Sequence, residues 1–291
     1  MGIKVCDLVM EYKKSVKVLN HVNLTIEHGI YGLLGENGAG KTTLMKILVT
    51  LLTPTSGTVE INGLTVKPEN YEIIKKQIGY LPQEFGLYPN LTVRESLEYV
   101  GIMSGIKKAE YQKQIDYYLE ATGLSEHQTK KNRQLSGGMK RRVGLVQALL
   151  HNPSILIVDE PTTGLDPEER IRIRNLLVDF SSHRTVLFST HVTEDLAATC
   201  NKLCILRKGQ IVYNGRMNEL IAMADNHVFC RSFQNEVDFQ KFQREYKITS
   251  KIYEANAITV RFVSESIPDF PCSCCTPNLE DAYIYSLYVK I

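Results

Sequence analysis

Residues 35–43 read Gly35-Glu36-Asn37-Gly38-Ala39-Gly40-Lys41-Thr42-Thr43, which fits the spacing G-x-x-x-x-G-K-[ST]. Glycines at these positions let the backbone wrap closely around a phosphate group, and Lys41 supplies a positive charge. The apolar run at residues 29–34 predicts a short buried strand before the loop, and residues 43–49 predict a helix with one apolar face after it. Because a helix N-terminus offers free N–H groups to anions, this context predicts a phosphate-binding loop rather than a glycine-rich turn with a chance lysine.

A second motif is the wholly apolar run at residues 155–158, which ends in Asp159 and Glu160. Such a run is typical of a strand buried on both faces, and in an open α/β sheet ligands bind at the carboxyl ends of the strands. Asp159 is therefore predicted to hold Mg²⁺, directly or through water, and Glu160 to polarise an attacking water. The alternative is a pair of acids that starts an exposed turn before Pro161, which the apolar strand disfavours.

The third motif is Leu135-Ser136-Gly137-Gly138-Met139. Its serine and glycines open a predicted helix at residues 139–150, and the free amides of that helix would form a second phosphate cradle. The first turn of this helix carries three basic residues, Lys140, Arg141 and Arg142. The helix dipole disfavours positive charge there, and a bound triphosphate would relieve the conflict. The alternative is an ordinary helix that is capped by its serine and has a solvated basic face.

Together these motifs resemble those of the ATP-binding subunits of ABC transporters, and the resemblance covers residue 3 to about residue 220. Met139 stands where the family's signature sequence frequently has glutamine. The resemblance implies an α/β fold, with a P-loop NTPase (ABC ATPase) core, an antiparallel β subdomain and a helical subdomain at about residues 84–135. The chain would then divide into an ATPase domain, residues 1–220, and a small α/β C-terminal appendage, residues 221–291.

The resemblance also implies roles for single residues. The expected catalytic residues are Lys41, Glu160 and His191. A further predicted strand, residues 185–190, delivers His191 to the same sheet edge, where the family's histidine hydrogen-bonds the γ-phosphate; a lone histidine at a strand end is otherwise structural. Gln83 is expected to touch Mg²⁺ or the attacking water, although a lone glutamine after proline is usually a surface turn. Asp166 is expected near the opposing site of a dimer, although aspartate before proline is also a routine turn residue.

ATP and Mg²⁺ are the ligands that the family implies. The expected metal ligands are Thr42, Gln83 and Asp159. The expected nucleotide contacts are residues 35–43, Gln83, Ser136, Gly137, Gly138, Met139, Asp166 and Tyr12. In the family, two domains pair head to tail, so that the γ-phosphate at Lys41 of one is closed over by Ser136 and Gly138 of the other. Tyr12 is the best match to the aromatic residue that stacks on adenine, and its alternative is a half-buried strand tyrosine.

Composition adds little to this reading. The chain has 291 residues, 43% hydrophobic and 23% charged, which is ordinary for a globular protein. The formal net charge of +2 gives no reason to expect nucleic acid or an anionic membrane surface as a partner. No apolar run approaches the roughly 20 residues that a membrane helix needs. We therefore expect a cytoplasmic chain that lies peripherally on the inner face of the membrane, docked on a separate permease.

The tail has its own pattern of elements. Residues 227–233 predict a strand, residues 236–246 a helix, residues 248–253 and 257–263 a strand pair, and residues 279–288 a final helix. Similar tails occur on the ATPase subunits of drug and antimicrobial-peptide exporters, including the bacitracin-resistance type, and residues 277–283 resemble theirs. Only this resemblance of the tail indicates export.

The chain has seven cysteines, which we expect to be reduced thiols. A cluster lies near the end of the chain at Cys272, Cys274 and Cys275. Its C-x-C-C spacing differs from the C-x-x-C of zinc sites, and no histidine lies nearby in sequence. An oxidation-prone exposed turn is therefore the expectation, with a metal site as the alternative.

Two functions remain open on these grounds. The first is a transporter motor, which works as a homodimer or as a pair with a similar ATPase subunit and exports a drug, a peptide or a lipid-like substrate. The contact candidates for its permease are Phe85, Leu87 and Tyr88, whose alternative is packing within the helical subdomain. The second is a soluble ABC ATPase that acts on ribosomes or DNA. Such relatives usually carry two cores, zinc modules or long coiled coils, which this sequence lacks.

Overall fold

The structure is a computed structural model that describes residues 2–12, 16–254 and 257–288. The chain divides into two compact units, of which the first comprises Met1–Cys200 and Cys204–Ile211 and the second Asn201–Leu203 and Val212–Ile291. The predicted boundary between residues 220 and 221 stays a prediction. Residues 1, 13–15, 255–256 and 289–291 of the two predicted domains lie outside the described residues.

The strands, in chain order, are β1 (Ile3–Glu11), β2 (Lys17–Ile26), β3 (Gly29–Leu34), β4 (Ser56–Ile61), β5 (Leu64–Thr65), β6 (Ile78–Leu81), β7 (Ile155–Asp159), β8 (Thr185–Thr190), β9 (Lys202–Arg207), β10 (Gln210–Arg216), β11 (Val228–Phe233), β12 (Lys247–Glu254), β13 (Ala257–Val263) and β14 (Ser273–Cys274). The α-helices are α1 (Lys41–Leu48), α2 (Tyr71–Gln77), α3 (Val93–Met103), α4 (Lys108–Ala121), α5 (Gly137–Leu149), α6 (Pro167–Ser181), α7 (Thr193–Ala197), α8 (Met217–Ala222), α9 (Glu236–Glu245) and α10 (Leu279–Tyr288). Short 3-10 helices lie at Pro68–Asn70, Ser125–His127 and Asn132–Gln134.

The core sheet of the first unit brings the predicted strands together at one edge. Four of its strands lie in the order β3-β8-β7-β6, and the neighbours β3–β8, β8–β7 and β7–β6 are parallel. Every residue of β7 and of β8 is buried, as expected for strands that are covered on both faces. The register places Leu34 opposite Thr190 and Asp159 opposite Ser189, so the carboxyl ends of three strands meet. The strands predicted at residues 29–34, 155–158 and 185–190 are confirmed.

A second sheet of the first unit is antiparallel, with the strand order β2-β1-β4-β5. Its tightest turn is Asn62-Gly63, where both residues have positive φ, 49° and 82°. That combination is typical of a type I′ turn, which matches the twist of the two strands that it joins. Helix α1 buries Leu44, Met45 and Ile47 in the same hydrophobic cluster as this sheet, and so fixes the loop that precedes it.

Helices α3 and α4 form the helical subdomain. Helix α3 begins with a capping box, because Thr92 Oγ1 accepts from the Glu95 N–H at 3.2 Å and Glu95 accepts from the Thr92 N–H at 2.8 Å. Helix α5 begins behind Ser136, whose Oγ accepts from the Met139 N–H at 3.1 Å. The helix predicted at residues 139–150 is confirmed by α5.

The second unit is the α/β appendage. Its sheet has the order β12-β13-β11-β14, and its core is built mostly from phenylalanine side chains of β11, β13 and α9. Asp281, fully buried at the start of α10, accepts from the Arg261 guanidinium and from the Asn278 N–H. These bonds offset the cost of burying the carboxylate and give residues 277–283 a structural role. The strands and helices predicted for the tail are confirmed.

The cysteine cluster differs from its prediction. Cys274 is exposed, but it lies on β14, a two-residue strand paired with β11, rather than in a turn. Such a short strand has no sequence pattern of its own, so the turn prediction was wrong. Cys275 lies with its Sγ 2.6 Å from the Sγ of Cys230, and burial raises the pKa of Cys275 to about 11.

Within the part of the chain that the structure describes, no helix is long and apolar enough to cross a membrane.

Candidate nucleotide-binding site

A pocket of about 290 Å³ lies between the predicted phosphate loop and the carboxyl ends of the core strands. Its lining comprises Val18, Glu36, Asn37, Gly38, Gly40, Lys41, Thr42, Thr43, Gln83, Asp159 and Glu160. Residues of the phosphate loop, Gln83 and the two carboxylates at the end of β7 therefore share one cavity. The predicted strand, loop and helix context is confirmed, because α1 begins at Lys41 directly after the loop.

The loop requires glycine for two different reasons. Gly40 has φ +110°, and a Cβ atom there would lie 2.8 Å from the backbone oxygen of Val18. Gly38 has φ +82°, and its Cβ position faces open space. A side chain at residue 40 would therefore disrupt packing behind the loop, whereas one at residue 38 would be strained and extend into the pocket region. The backbone can approach a phosphate closely as a result.

Lys41 is held at the base of this loop. Its Nζ donates to the backbone oxygens of Gly35 at 2.5 Å and Glu36 at 3.2 Å. Burial lowers the pKa of Lys41, while the carboxylates of Glu160 and Asp159 act in the opposite direction. The ammonium group thus lies inside the pocket with two carboxylates as its charge partners.

Asp159 connects the loop to the sheet. Its side chain is almost fully buried, and its two oxygens accept hydrogen bonds from different segments of the chain. Thr42 Oγ1 donates to Oδ2 at 2.8 Å, and Ser189 Oγ donates to Oδ1. A hydroxyl, a carboxylate and the amide oxygen of Gln83, which lines the same pocket, are the hard oxygen donors that Mg²⁺ prefers. The residues present therefore fit Mg²⁺.

Glu160 is held in a strained backbone conformation. Its φ is +56°, in the left-handed region, which costs a residue other than glycine about 1–3 kcal/mol. The buried carboxylate has two partners, since His191 Nδ1 lies 2.7 Å from Oε1 and Thr163 Oγ1 donates to Oε2 at 2.9 Å. The His191 side chain itself is about half exposed. Strain of this kind concentrates at functional sites, and here it directs the carboxylate into the pocket.

Other predicted site residues lie outside this pocket. Among the described residues, its lining does not include Gly35, Ala39, Ser136 to Met139, Asp166, His191 or Tyr12. Asp166 is exposed at the start of α6 and makes no side-chain cap there. Tyr12 lies just past the end of β1, so it is not a strand residue. Its side chain is 51% exposed, and its hydroxyl lies 3.4 Å from Thr43 Oγ1.

Two of the three basic residues of α5 correct the prediction made for them. Arg141 and Arg142 are buried, and both donate to atoms of the same chain rather than facing solvent or an external anion. Arg142 donates to the Thr122 oxygen at 2.7 Å and to the Glu169 carboxylate. Backbone oxygens and a carboxylate compensate these charges internally, so no triphosphate is needed to relieve the dipole conflict. Lys140 alone is exposed.

Ser189 and Thr163 are site residues that sequence reasoning missed. Ser189 donates to Asp159 and Thr163 donates to Glu160, and both carboxylates had been predicted as site residues. A signal was present in both cases. Ser189 directly follows the apolar run at residues 186–188, and Thr163 lies three residues after the acid that it contacts.

Comparison with known proteins identifies the family. A family model described as ABC transporter matches residues 19–163. An uncharacterized ABC transporter ATP-binding protein of Bacillus subtilis, YxlF, is 36% identical over 249 residues, covering 86% of this chain and 81% of the relative. The linearmycin resistance ATP-binding protein LnrL of the same species is 29% identical over 295 residues, covering 92% of each chain.

A solved structure agrees with these relatives. The dimeric post-hydrolysis structure of the ATP-binding cassette MJ0796, bound to ADP and Pi, has a TM-score of 0.68 and 28% identity, and covers 74% of this chain and 98% of its own. The chain belongs to the ABC transporter ATP-binding proteins, and it is an ATPase with a P-loop NTPase core. The family resemblance of the three motifs is confirmed.

Replacing Lys41 tests the phosphate loop. Lys41→Ala removes the charge inside the pocket, and we expect ATP affinity to fall by at least about tenfold, with hydrolysis lost as well. Titration with a fluorescent ATP analogue and a phosphate-release assay measure the two effects. Lys46→Ala, at the other end of α1, is the matched control and should behave as the wild type. Unchanged nucleotide affinity in Lys41→Ala would contradict the assignment of the loop.

Proposed function

We propose that this chain is the ATP-hydrolysing motor subunit of an ABC exporter, which works in pairs and drives a separate membrane permease. The observation that carries the proposal is the convergence of Lys41, Thr42, Asp159 and Glu160 on one pocket. Each of these residues has the chemistry that phosphoryl transfer to water needs: a cation, a metal-binding hydroxyl, a metal-binding carboxylate and a base.

The residues of the pocket divide the work of hydrolysis. Lys41 and the loop amides bind the phosphates, while Thr42, Asp159 and Gln83 hold Mg²⁺. When bound, Mg²⁺ supplies positive charge that offsets the charge developing on the phosphate oxygens. Glu160 accepts a proton from the attacking water, and its contacts with Thr163 and His191 fix the direction of its carboxylate. In this proposal His191, which contacts the Glu160 carboxylate, also hydrogen-bonds the γ-phosphate.

A second ATPase subunit completes the site in this proposal. Ser136 and Gly138 open α5 with free amides, yet they lie outside the pocket of their own chain. A head-to-tail pair would bring these amides over the γ-phosphate that the other chain binds, with Asp166 at the interface and Tyr12 beside adenine. The dimeric arrangement of MJ0796, a cassette of the same fold, supports a pair.

Replacing Glu160 tests the base and the pair together. Glu160→Gln keeps the shape of the side chain but cannot accept a proton, so we expect kcat to fall by about 10²–10⁴-fold while ATP is still bound. The closed dimer should then accumulate with ATP and Mg²⁺. Phosphate release and light scattering after size exclusion measure the two effects.

The matched control for this experiment is Glu72→Gln, the same chemical change on the exposed face of α2. It should hydrolyse ATP at the wild-type rate and should not trap a dimer. A wild-type rate in Glu160→Gln would rule out Glu160 as the base. A monomeric Glu160→Gln protein at saturating ATP and Mg²⁺ would rule out the composite site.

A groove beside Gln83 supports a permease as the partner. A cavity of about 290 Å³ lies between the first residues after β6, helix α3 and helix α5, with Phe85 and Gly144 in its lining. Next to it, Tyr88, Tyr99 and Ile102 expose apolar surface on and before α3. Phe85 itself packs against α5, because a Cβ atom on Gly144 would lie 2.5 Å from its ring. Docking there would hold the chain on the inner face of the membrane.

The direction of transport is inferred from a relative that extends through the appendage. The alignment with LnrL covers 92% of this chain and so includes the second unit, and that relative is described as a linearmycin resistance protein. Export of a drug-like, peptide or lipid-like compound is therefore the direction that we propose. The transported compound would be bound by the permease.

Capture from membranes tests the partner. Detergent extraction, affinity capture of this chain and mass spectrometry should recover a multi-span protein in stoichiometric amount. Ile102→Glu places a charge on the exposed surface of α3 and should abolish this recovery. Ile267→Glu, an equally drastic change at an exposed residue of the second unit, should retain it. Recovery of ribosomal or DNA-associated partners in place of a membrane protein would overturn the transport function and leave the ATPase intact.

A further inference from the structure

Arg141 occupies an unusual place for a charged residue. Its side chain is 7% exposed, and it lies in the first half of α5, close to the positive end of the helix dipole. Burial lowers the pKa of its guanidinium, and the nearby Asp159 and Glu160 carboxylates act against that shift. A buried charge in such a position is costly unless its hydrogen bonds perform a structural task.

Within the described residues, Arg141 donates its hydrogen bonds to three backbone oxygens at the edge of the pocket. Nη1 donates to the oxygens of Pro82 at 2.9 Å and Gln83 at 2.6 Å, and Nη2 donates to the oxygen of Asp159. Strands β6 and β7 are parallel neighbours, with Leu81 opposite Val158 in register, so these oxygens mark the points where both strands leave the sheet. The planar guanidinium of Arg141 therefore holds the end of β7 and the segment that follows β6 in a fixed relative position.

The surroundings of the guanidinium keep water away from these bonds. The ring of Phe85 lies over it, with 5.9 Å between Arg141 Cζ and the ring centre, and Gly144 provides the space that the ring needs. The Nε atom is buried and has no hydrogen-bond partner among the described residues. The side chain is therefore held by its two Nη atoms alone, whose fork geometry a lysine cannot reproduce.

We propose that Arg141 is a positioning residue for the metal-binding edge of the pocket. It fixes the backbone of Gln83 relative to Asp159, so that the amide of one and the carboxylate of the other face the same space. Because Arg141 sits on the helix that Ser136 opens, it also fixes that helix relative to the same edge. The metal-related consequence rests on the proposed function, whereas the effect on the backbone does not.

The chain provides a matched control on the next residue. Arg142 is 6% exposed, carries the same charge and lies on the same helix, but it donates to Thr122, Gly123 and Glu169, away from Gln83. Arg141→Gln and Arg142→Gln therefore remove equally buried charges. Arg141→Lys keeps the charge and removes only the paired Nη donors of the guanidinium.

The first measurement needs no nucleotide. A glutamate-specific protease cleaves after Glu84, in the segment that Arg141 fastens, and the cleavage rate reports how often that backbone loosens. We expect the rate of cleavage after Glu84 to rise by at least about tenfold in Arg141→Gln and to rise in Arg141→Lys as well. In Arg142→Gln this rate should equal that of the wild type. Wild-type cleavage in Arg141→Gln, or equal acceleration in both glutamine variants, would overturn the positioning role.

The second measurement follows ATP hydrolysis. We expect kcat to fall by about 10–100-fold in Arg141→Gln, as is usual when a group that orients a metal ligand is lost. The Mg²⁺ concentration for half-maximal rate should rise, while KM for ATP changes little, because Lys41 is untouched. A wild-type Mg²⁺ dependence in Arg141→Gln, or a wild-type kcat in Arg141→Lys, would contradict the positioning of Gln83. An inactive wild-type protein with normal protease results would instead refute the proposed function alone.

Discussion

The buried carboxylate of Asp159 is the point on which the rest of the site depends. Burying a charged carboxylate is expensive unless its oxygens are hydrogen-bonded and its charge is compensated. Thr42 and Ser189 meet the first need from the start of α1 and the end of β8, and the Lys41 ammonium lies close enough to meet part of the second. Any displacement of the loop, of β7 or of β8 would leave this charge unsatisfied, so the three segments are held in one arrangement.

The same constraint explains the balance of charge around the pocket. Asp159 and Glu160 face two buried cations, Lys41 on the pocket side and Arg141 behind the sheet edge. Burial also raises the pKa of Tyr80 to about 12, so its hydroxyl stays neutral beside Asp159.

Much of this site could be predicted from the sequence, because its motifs lie at the carboxyl ends of strands that a parallel sheet brings to one edge. The bond from Ser189 to Asp159 could not, since it depends on the register between two strands. Arg141 was misread because the dipole rule considers only its own helix, while its partners Pro82 and Asp159 are far away in sequence. The completion of the pocket by another chain stays a prediction, because contacts between two chains are not specified by the sequence of either motif alone.

Phosphate release by wild-type protein and by Asp159→Asn, followed over a range of Mg²⁺ concentrations, tests the central claim most directly. The amide of the variant preserves size and some hydrogen bonding, and thermal unfolding verifies that the fold persists. If Asp159 joins the metal to the phosphate loop, the wild type hydrolyses ATP only with Mg²⁺, and the folded variant releases no phosphate above background. Equal Mg²⁺-dependent release by both proteins would contradict the account.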